Sequence, residues 1–168
     1  MELLSTKPDL VSPAFSILRQ EIDSMVRVLF ILSNTSIEER EAYASATLNG
    51  NQWTATTQNG RQRKITDKEM VDLAQDLIGW ARSVYKYGCA FIHLSNFHNH
   101  LASNPFTSLP LSEREDILNH MREYHGGPAE DDPSMQVIAS YVPRIFEKIS
   151  DNLLYWVEQL EQGGTDAP

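Results

Sequence analysis

Cysteine is almost absent from this chain: Cys89 is the single one, so no internal disulfide can form and the fold must rest on packing, as suits a reducing compartment. Long apolar runs are missing as well. The longest unbroken one, Val28 to Leu32, falls far short of the ~20 residues that span a bilayer, so no membrane association is expected. The opening Met-Glu-Leu-Leu-Ser-Thr-Lys-Pro has no basic region leading into an apolar one, so no secretory signal is expected and the reading is cytoplasmic. Positive charge is scarce: 14 Lys and Arg stand against 23 Asp and Glu, for a net charge of −9. Such a molecule repels polyanions as a whole, which disfavours RNA as a partner unless a local basic patch holds it. What remains is 168 residues, 41% of them hydrophobic. A chain of that size buries roughly 70% of its unfolded surface and needs no structural metal to keep a core.

The signals that are present are helical. Ser12-Pro13 predicts a helix start, and Phe15, Leu18, Ile22, Met25, Val26, Leu29 and Leu32 then follow one stripe, with Val28 to Leu32 apolar all round and expected to be enclosed. Ser36-Ile-Glu-Glu39 reads as a capping box for a shorter helix that Asn49-Gly50 ends. From Asn49 to Lys64 the chain is rich in Asn, Gln, Thr and Gly, which predicts a long polar loop with a short hairpin turning at Asn59-Gly60. Thr66-Asp-Lys-Glu69 is a second capping box, and the stripe Met70, Leu73, Ala74, Leu77, Trp80, Ala81, Val84, Gly88, Phe91 predicts one long helix reaching about Ala102. Ser112-Glu-Arg-Glu115 reads as a third box, its helix stopping at His125-Gly126-Gly127-Pro128. Asp132-Pro133 is expected to cap a last helix through Ile138, Ile145, Ile149 and Trp156, kinked at Pro143. The prediction is therefore an all-α bundle of about five helices with a long polar loop between the second and third. It comprises an N-terminal segment 1–12, a single domain 13–162 and a flexible tail 163–168.

All five histidines fall between His93 and His125, but their i, i+2 and i, i+5 spacings do not match helical metal pairs, so no metal and no cofactor is assigned. Phase says more than spacing. Continuing the stripe past Phe91 places Ser95 and His98 where apolar residues belong, and polar groups there need partners. Either a neighbouring helix satisfies them, or they wall a polar pocket with His93 at its edge and Arg19, Asp23 and Arg27 supplying charge from the first helix. Arg19, Ser95 and His125 are the binding candidates, and His93, His98, Arg27 and Asp23 the catalytic ones. Arg61, Arg63 and Lys64 beside Trp53 form the one basic cluster, either a phosphate-chain contact or a solvated loop. Cys89 reads as a small buried hydrophobe.

The stretches Leu18-Arg-Gln-Glu-Ile-Asp-Ser-Met-Val-Arg-Val-Leu-Phe-Ile-Leu32, Tyr87-Gly-Cys-Ala-Phe-Ile-His-Leu-Ser-Asn-Phe-His98 and Lys148-Ile-Ser-Asp-Asn-Leu-Leu154 resemble bacterial HEPN-type helical-bundle proteins of the uncharacterised or abortive-infection-like sort. The resemblance implies a helical bundle that forms a homodimer and acts as an interaction or regulatory module with a protein partner, in a bacterial defence or toxin–antitoxin setting. Ribonuclease members carry an arginine, then a polar residue, then a histidine, with four to six residues between the arginine and the histidine. Arg114-Glu-Asp-Ile-Leu-Asn-His120 meets that spacing with glutamate in place of a neutral polar residue. Whether the protein is an enzyme stays open. An RNA-cleaving alternative would use His93 or His98 as acid or base on a ribose 2′-hydroxyl with Arg27 steadying the phosphate. A metal-dependent hydrolase would gather His93, His98 and Asp23 around one ion. Independently of the resemblance, the aromatic Tyr141, Phe146, Tyr155 and Trp156 occupy more than one face of the last helix, which points to self-association through the first or last helix.

Overall fold

The computed structural model describes residues 11–33, 36–92 and 104–163. Among these are six α-helices: α1 (Val11–Ser33), α2 (Ile37–Leu48), α3 (Asp67–Ile78), α4 (Ala81–Ile92), α5 (Leu111–His125) and α6 (Met135–Glu161). A two-stranded hairpin, β1 (Thr54–Thr56) and β2 (Gln62–Lys64), and a 3₁₀ turn, Pro105–Ser108, complete them. The protein is mostly all-α. The chain gathers into two compact units, one holding residues 11–22, 82–92 and 104–152, the other residues 23–81 and 153–163 as far as they are described.

The first unit is built on fully buried apolar side chains such as Phe15 and Leu18 from α1, Phe106, Met121 of α5, and Ile138 and Ile149 of α6. α1 is already helical at Val11, ahead of the expected Ser12-Pro13 start, because a proline in the first turn forfeits no intrahelical amide bond. Two other predicted starts are corrected. α5 begins at Leu111 after Pro110 with no side-chain cap bond, so Ser112 lies inside the helix and Ser112-Glu-Arg-Glu115 is not its capping box. α6 begins at Met135. Its cap is Ser134, whose Oγ accepts from the Val137 amide at 3.3 Å, while Asp132 faces Arg114 Nη1 at 3.5 Å. The helix continues through Pro143.

The predicted stop of α5 is observed. Gly126 takes φ +77 and its amide bonds Met121 O, and the following loop is organised by Arg122. Arg122 Nε donates to Pro128 O at 2.9 Å, and its Nη2 donates to Glu130 O at 2.9 Å and to Asp131 Oδ1 at 2.8 Å. One guanidinium thus satisfies a run of carbonyls that would otherwise meet only water. Gly127, at φ +150, lies so close to α6 that a Cβ there would stand 2.5 Å from the Tyr141 hydroxyl oxygen.

The second unit buries Met25, Leu29 and Leu32 of α1 and Tyr43, Trp53, Ile65, Met70 and Ala74. Within the apolar run, Leu29 and Leu32 are fully buried, whereas Val28, Phe30 and Ile31 are half-buried, so the enclosure expected for the whole run holds for only two of its members. Arg40 of α2 is 8% exposed and donates from Nη2 to Leu32 O at 3.0 Å, giving the C-terminal end of α1 a charged partner. Ser36 caps α2 through the Glu39 amide. Asn49 closes it as expected.

The hairpin forms where it was read, antiparallel with Ala55 opposite Arg63, and its turn closes through Gly60 N to Thr57 O at 2.8 Å. The Thr66–Glu69 capping box is complete, Glu69 Oε2 taking the Thr66 amide at 2.9 Å. The single long helix is corrected: Gly79 at φ +74 ends α3, its amide bonding Gln75 O, and α4 starts anew at Ala81. A left-handed glycine satisfies a terminal carbonyl that a continuous helix would not leave open, and Trp80 next to it is 9% exposed. Residues 93–102, the expected end of that helix, lie outside the described residues, as does the tail from 164. Among the described residues no helix is long and apolar enough to cross a membrane.

Candidate functional site

The sequence-predicted residues fall into three sets. His93, Ser95 and His98 lie outside the described residues. Arg19 is 8% exposed, with its guanidinium 3.9 Å above the Tyr85 ring in the first unit. Arg27 and the half-buried Asp23 belong to the second unit. There Arg27 Nη2 meets Asp67 Oδ1 at 3.4 Å, and its guanidinium stands 5.3 Å from the Trp53 ring. Trp53 itself is 5% exposed, with ring centroids 5.1 Å from Tyr43 and 5.9 Å from Phe30, and its Nε1 donates to Thr47 Oγ1 at 2.9 Å. It is a core anchor, and no base could stack on it beside Arg61 and Lys64. Cys89 is half-buried and free.

His125 leads to a site. It closes α5 beside an open cleft of about 510 Å³ lined by Tyr124, His125, Arg144, Glu147, Lys148, Asp151 and Asn152. On α6 the lining residues recur at i, i+3, i+4, i+7 and i+8, the spacing of a helix face that meets a neighbour. Such a face is ordinarily apolar; here it is charged, while Ile138, Val142, Ile145 and Ile149 carry the core on another side. Lys148 Nζ sits 4.3 Å from the Tyr124 ring centre, a cation–π contact, and burial holds its pKa below the usual lysine range.

Behind the cleft, His120 stacks 4.6 Å from Tyr124 and 6.0 Å from His125 by ring centroids. Burial, with Lys148 and His125 adding repulsion, pushes His120 down to about 4. Burial lowers His125 too, with Lys148 and Arg144 disfavouring its charged form. Both imidazoles are neutral at pH 7 and serve as packed rings. Tyr124, Arg144 and Lys148 escaped the sequence reading of candidates, and His120 entered it only through its spacing from Arg114. The signal that finds Arg144 and Lys148 is the polar stripe on an otherwise well-patterned last helix.

A second groove, about 660 Å³, runs along the opposite part of α5 and is lined by residues including Arg114, Leu118, Arg122, Asp131 and Asp132. Arg114 lies there, beside Asp132, whereas His120 packs against the rings that border the first cleft. The arginine and histidine of the matched spacing therefore serve different surfaces. Compared with family models, curated proteins and solved structures, the chain has no match. Among the described residues no group of three or more His, Cys, Asp or Glu is placed to hold a metal ion.

The neutral histidines carry a pH signature. A buried His120 with a folded pKa of about 4 against an ordinary 6.5 stabilises the folded state fully above pH 6.5, and that stability is lost as the pH falls toward 4. Discounted for its partial exposure, the loss is roughly 1–2 kcal/mol, with His125 adding in the same direction. Glu69, held low by the Thr66 amide and Arg63, contributes at more acid pH. Urea unfolding at a series of pH values is expected to show this decline, and His120→Gln is expected to flatten it; an unchanged slope in the variant would show that His120 does not titrate this way.

Proposed function

We propose that this chain is a HEPN-like helical-bundle protein that works by binding, as an interaction or regulatory module in the bacterial defence setting the resemblance implies, with the α5–α6 cleft as its recognition surface. One observation carries the reading: the cleft presents Arg144, Glu147 and Asp151 exposed to solvent, while the imidazoles beside it are packed and uncharged. The His120 imidazole, with a pKa near 4, is neutral at pH 7 and is there a poor general acid and a weak base, so acid–base chemistry finds a poor partner in it. The separation of Arg114 from His120 argues the same way against the ribonuclease alternative. Exposed charge of both signs on a rigid helix face suits selective association, where complementarity sets partner choice.

The test compares purification of the wild-type chain with purification of an Arg144→Glu, Asp151→Lys variant whose circular dichroism is unchanged. A protein that co-purifies stoichiometrically with the first and is lost with the second supports the reading. RNA cleavage by the wild type that disappears in His98→Ala would replace it with the enzymatic one.

A further inference from the structure

The carboxylates of this chain are unevenly spread. Residues 42–66 hold none of them and carry Arg61, Arg63 and Lys64, a charge of +3, while elsewhere the other 11 Lys and Arg stand against all 23 Asp and Glu, a charge of −12. The hairpin puts this segment on display. Its register sets Thr54 opposite Lys64 and Thr56 opposite Gln62, so these four side chains share one face, and all four are exposed. Trp53 and Ile65 fall on the alternate positions, with Ala55 and Arg63, and are buried. Of the acids around the hairpin, Glu69 pairs with Arg63, Asp67 pairs with Arg27, and Glu39 of α2 acts on Tyr43 alongside Arg63. Among the described residues no carboxylate faces the Arg61 guanidinium or the Lys64 ammonium.

The outer face of the hairpin has no apolar or aromatic anchor of the kind around which protein interfaces are built. Hydroxyls, a carboxamide and cations are the groups that meet phosphates and base edges. The form of nucleic acid follows from the same inventory. Single strands are held on aromatic platforms, and the aromatic side chains of this segment, Tyr43 and Trp53, are buried. The major groove of A-form RNA is too deep and narrow for side chains to read. That of B-form DNA, about 12 Å wide, admits a two-stranded ribbon.

We propose that the β1–β2 hairpin binds duplex DNA, entering the major groove with Thr54, Thr56, Gln62 and Lys64 and setting Arg61 against a flanking phosphate. Lys64 supplies a point charge and the threonines a hydroxyl each. Gln62, whose Nε2 donates to Thr56 Oγ1 at 2.9 Å, keeps its carbonyl oxygen as an acceptor. The binding is weak and sensitive to salt, because the acidic remainder of the chain opposes it and only Arg61 and Lys64 are unpaired cations that displace counterions. Two such contacts make the logarithm of the binding constant fall with that of the salt concentration at a slope of about −2. The site shares no residue with the α5–α6 cleft and stands independently of it.

The experiment titrates a short fluorescent DNA duplex with the full chain at a series of low salt concentrations, reading anisotropy, and repeats the titration with one strand of that duplex, with an RNA duplex and with polyglutamate. Saturable binding is expected for the DNA duplex, tighter than for the other three and with the stated slope. Arg61→Gln with Lys64→Gln replaces two exposed side chains, so its circular dichroism should match the wild type while its affinity falls at least tenfold and its salt dependence flattens. Failure of the wild type to saturate on the DNA duplex, or equal affinity in the double variant, overturns the proposal. So does a single strand or an RNA duplex bound as tightly as the DNA duplex. Polyglutamate bound as tightly or more tightly overturns it too, and gives the hairpin to an acidic protein instead.

Discussion

Leu29→Asp is expected to leave no folded protein at ordinary temperature. Leu29 is 0% exposed, near the C-terminal end of α1, with Met25, Val26 and Leu32 buried around it. Truncating a side chain so placed costs about 2–5 kcal/mol through lost transfer energy and the cavity left behind. Aspartate adds a carboxylate in place of a fully buried apolar side chain, and the group must either stay charged there or take up a proton at a cost in free energy. The sum, about 5 kcal/mol or more, is comparable with the whole stability of an ordinary domain of ~5–15 kcal/mol. Loss of the cooperative thermal transition by circular dichroism is the expected readout. Phe30→Asp, one residue along but half-buried, should retain a transition. An unchanged midpoint for the Leu29 variant would mean that α1 does not build the core as described.

Gly127→Ala is the second large effect, and its causes can be separated. Any side chain at φ +150 is strained by about 1–3 kcal/mol, and the new Cβ would meet the Tyr141 hydroxyl oxygen at 2.5 Å and its ring carbon at 3.3 Å. Neither the loop, pinned by Arg122, nor the middle of α6 can yield freely. A loss of about 2–4 kcal/mol is expected, of which Tyr141→Phe in the same chain should restore the part due to the hydroxyl and leave the part due to the backbone. Denaturant midpoints for both single variants and the double variant complete the cycle. Strict additivity would show that the two residues do not touch.

The elements that could be read from the sequence are those whose cause is local. The Thr66–Glu69 box, the Asn59-Gly60 turn and the Gly126 stop each depend on a few adjacent residues, and each is found. Those misread depend on what lies across the fold. The stripe from Met70 to Val84 stays in phase across Gly79, so hydrophobic spacing alone could not reveal a break whose cause is a left-handed glycine. Asp132 has the chemistry of a helix cap, but Arg114 from α5 faces it, and Ser134 takes that place. The cleft was hidden for a related reason: its charges read as a solvated face until Tyr124 and His125 are brought alongside Lys148. Only His125 among the candidates named from sequence belongs to it.

The hairpin has a bearing on how copies of this chain behave in a crowded solution. Two strands of three residues leave an outward backbone edge on each side, the kind of ribbon onto which another copy could add its own strand. Shortness is one safeguard, since three residues offer too few backbone bonds to hold an added strand. The other is electrical: the edge formed by β2 carries exposed Lys64, with exposed Arg61 just before it, so an approaching identical edge meets its own positive charge at close range. The basic segment of an acidic chain thereby disfavours edge-to-edge pairing of the only strands among the described residues.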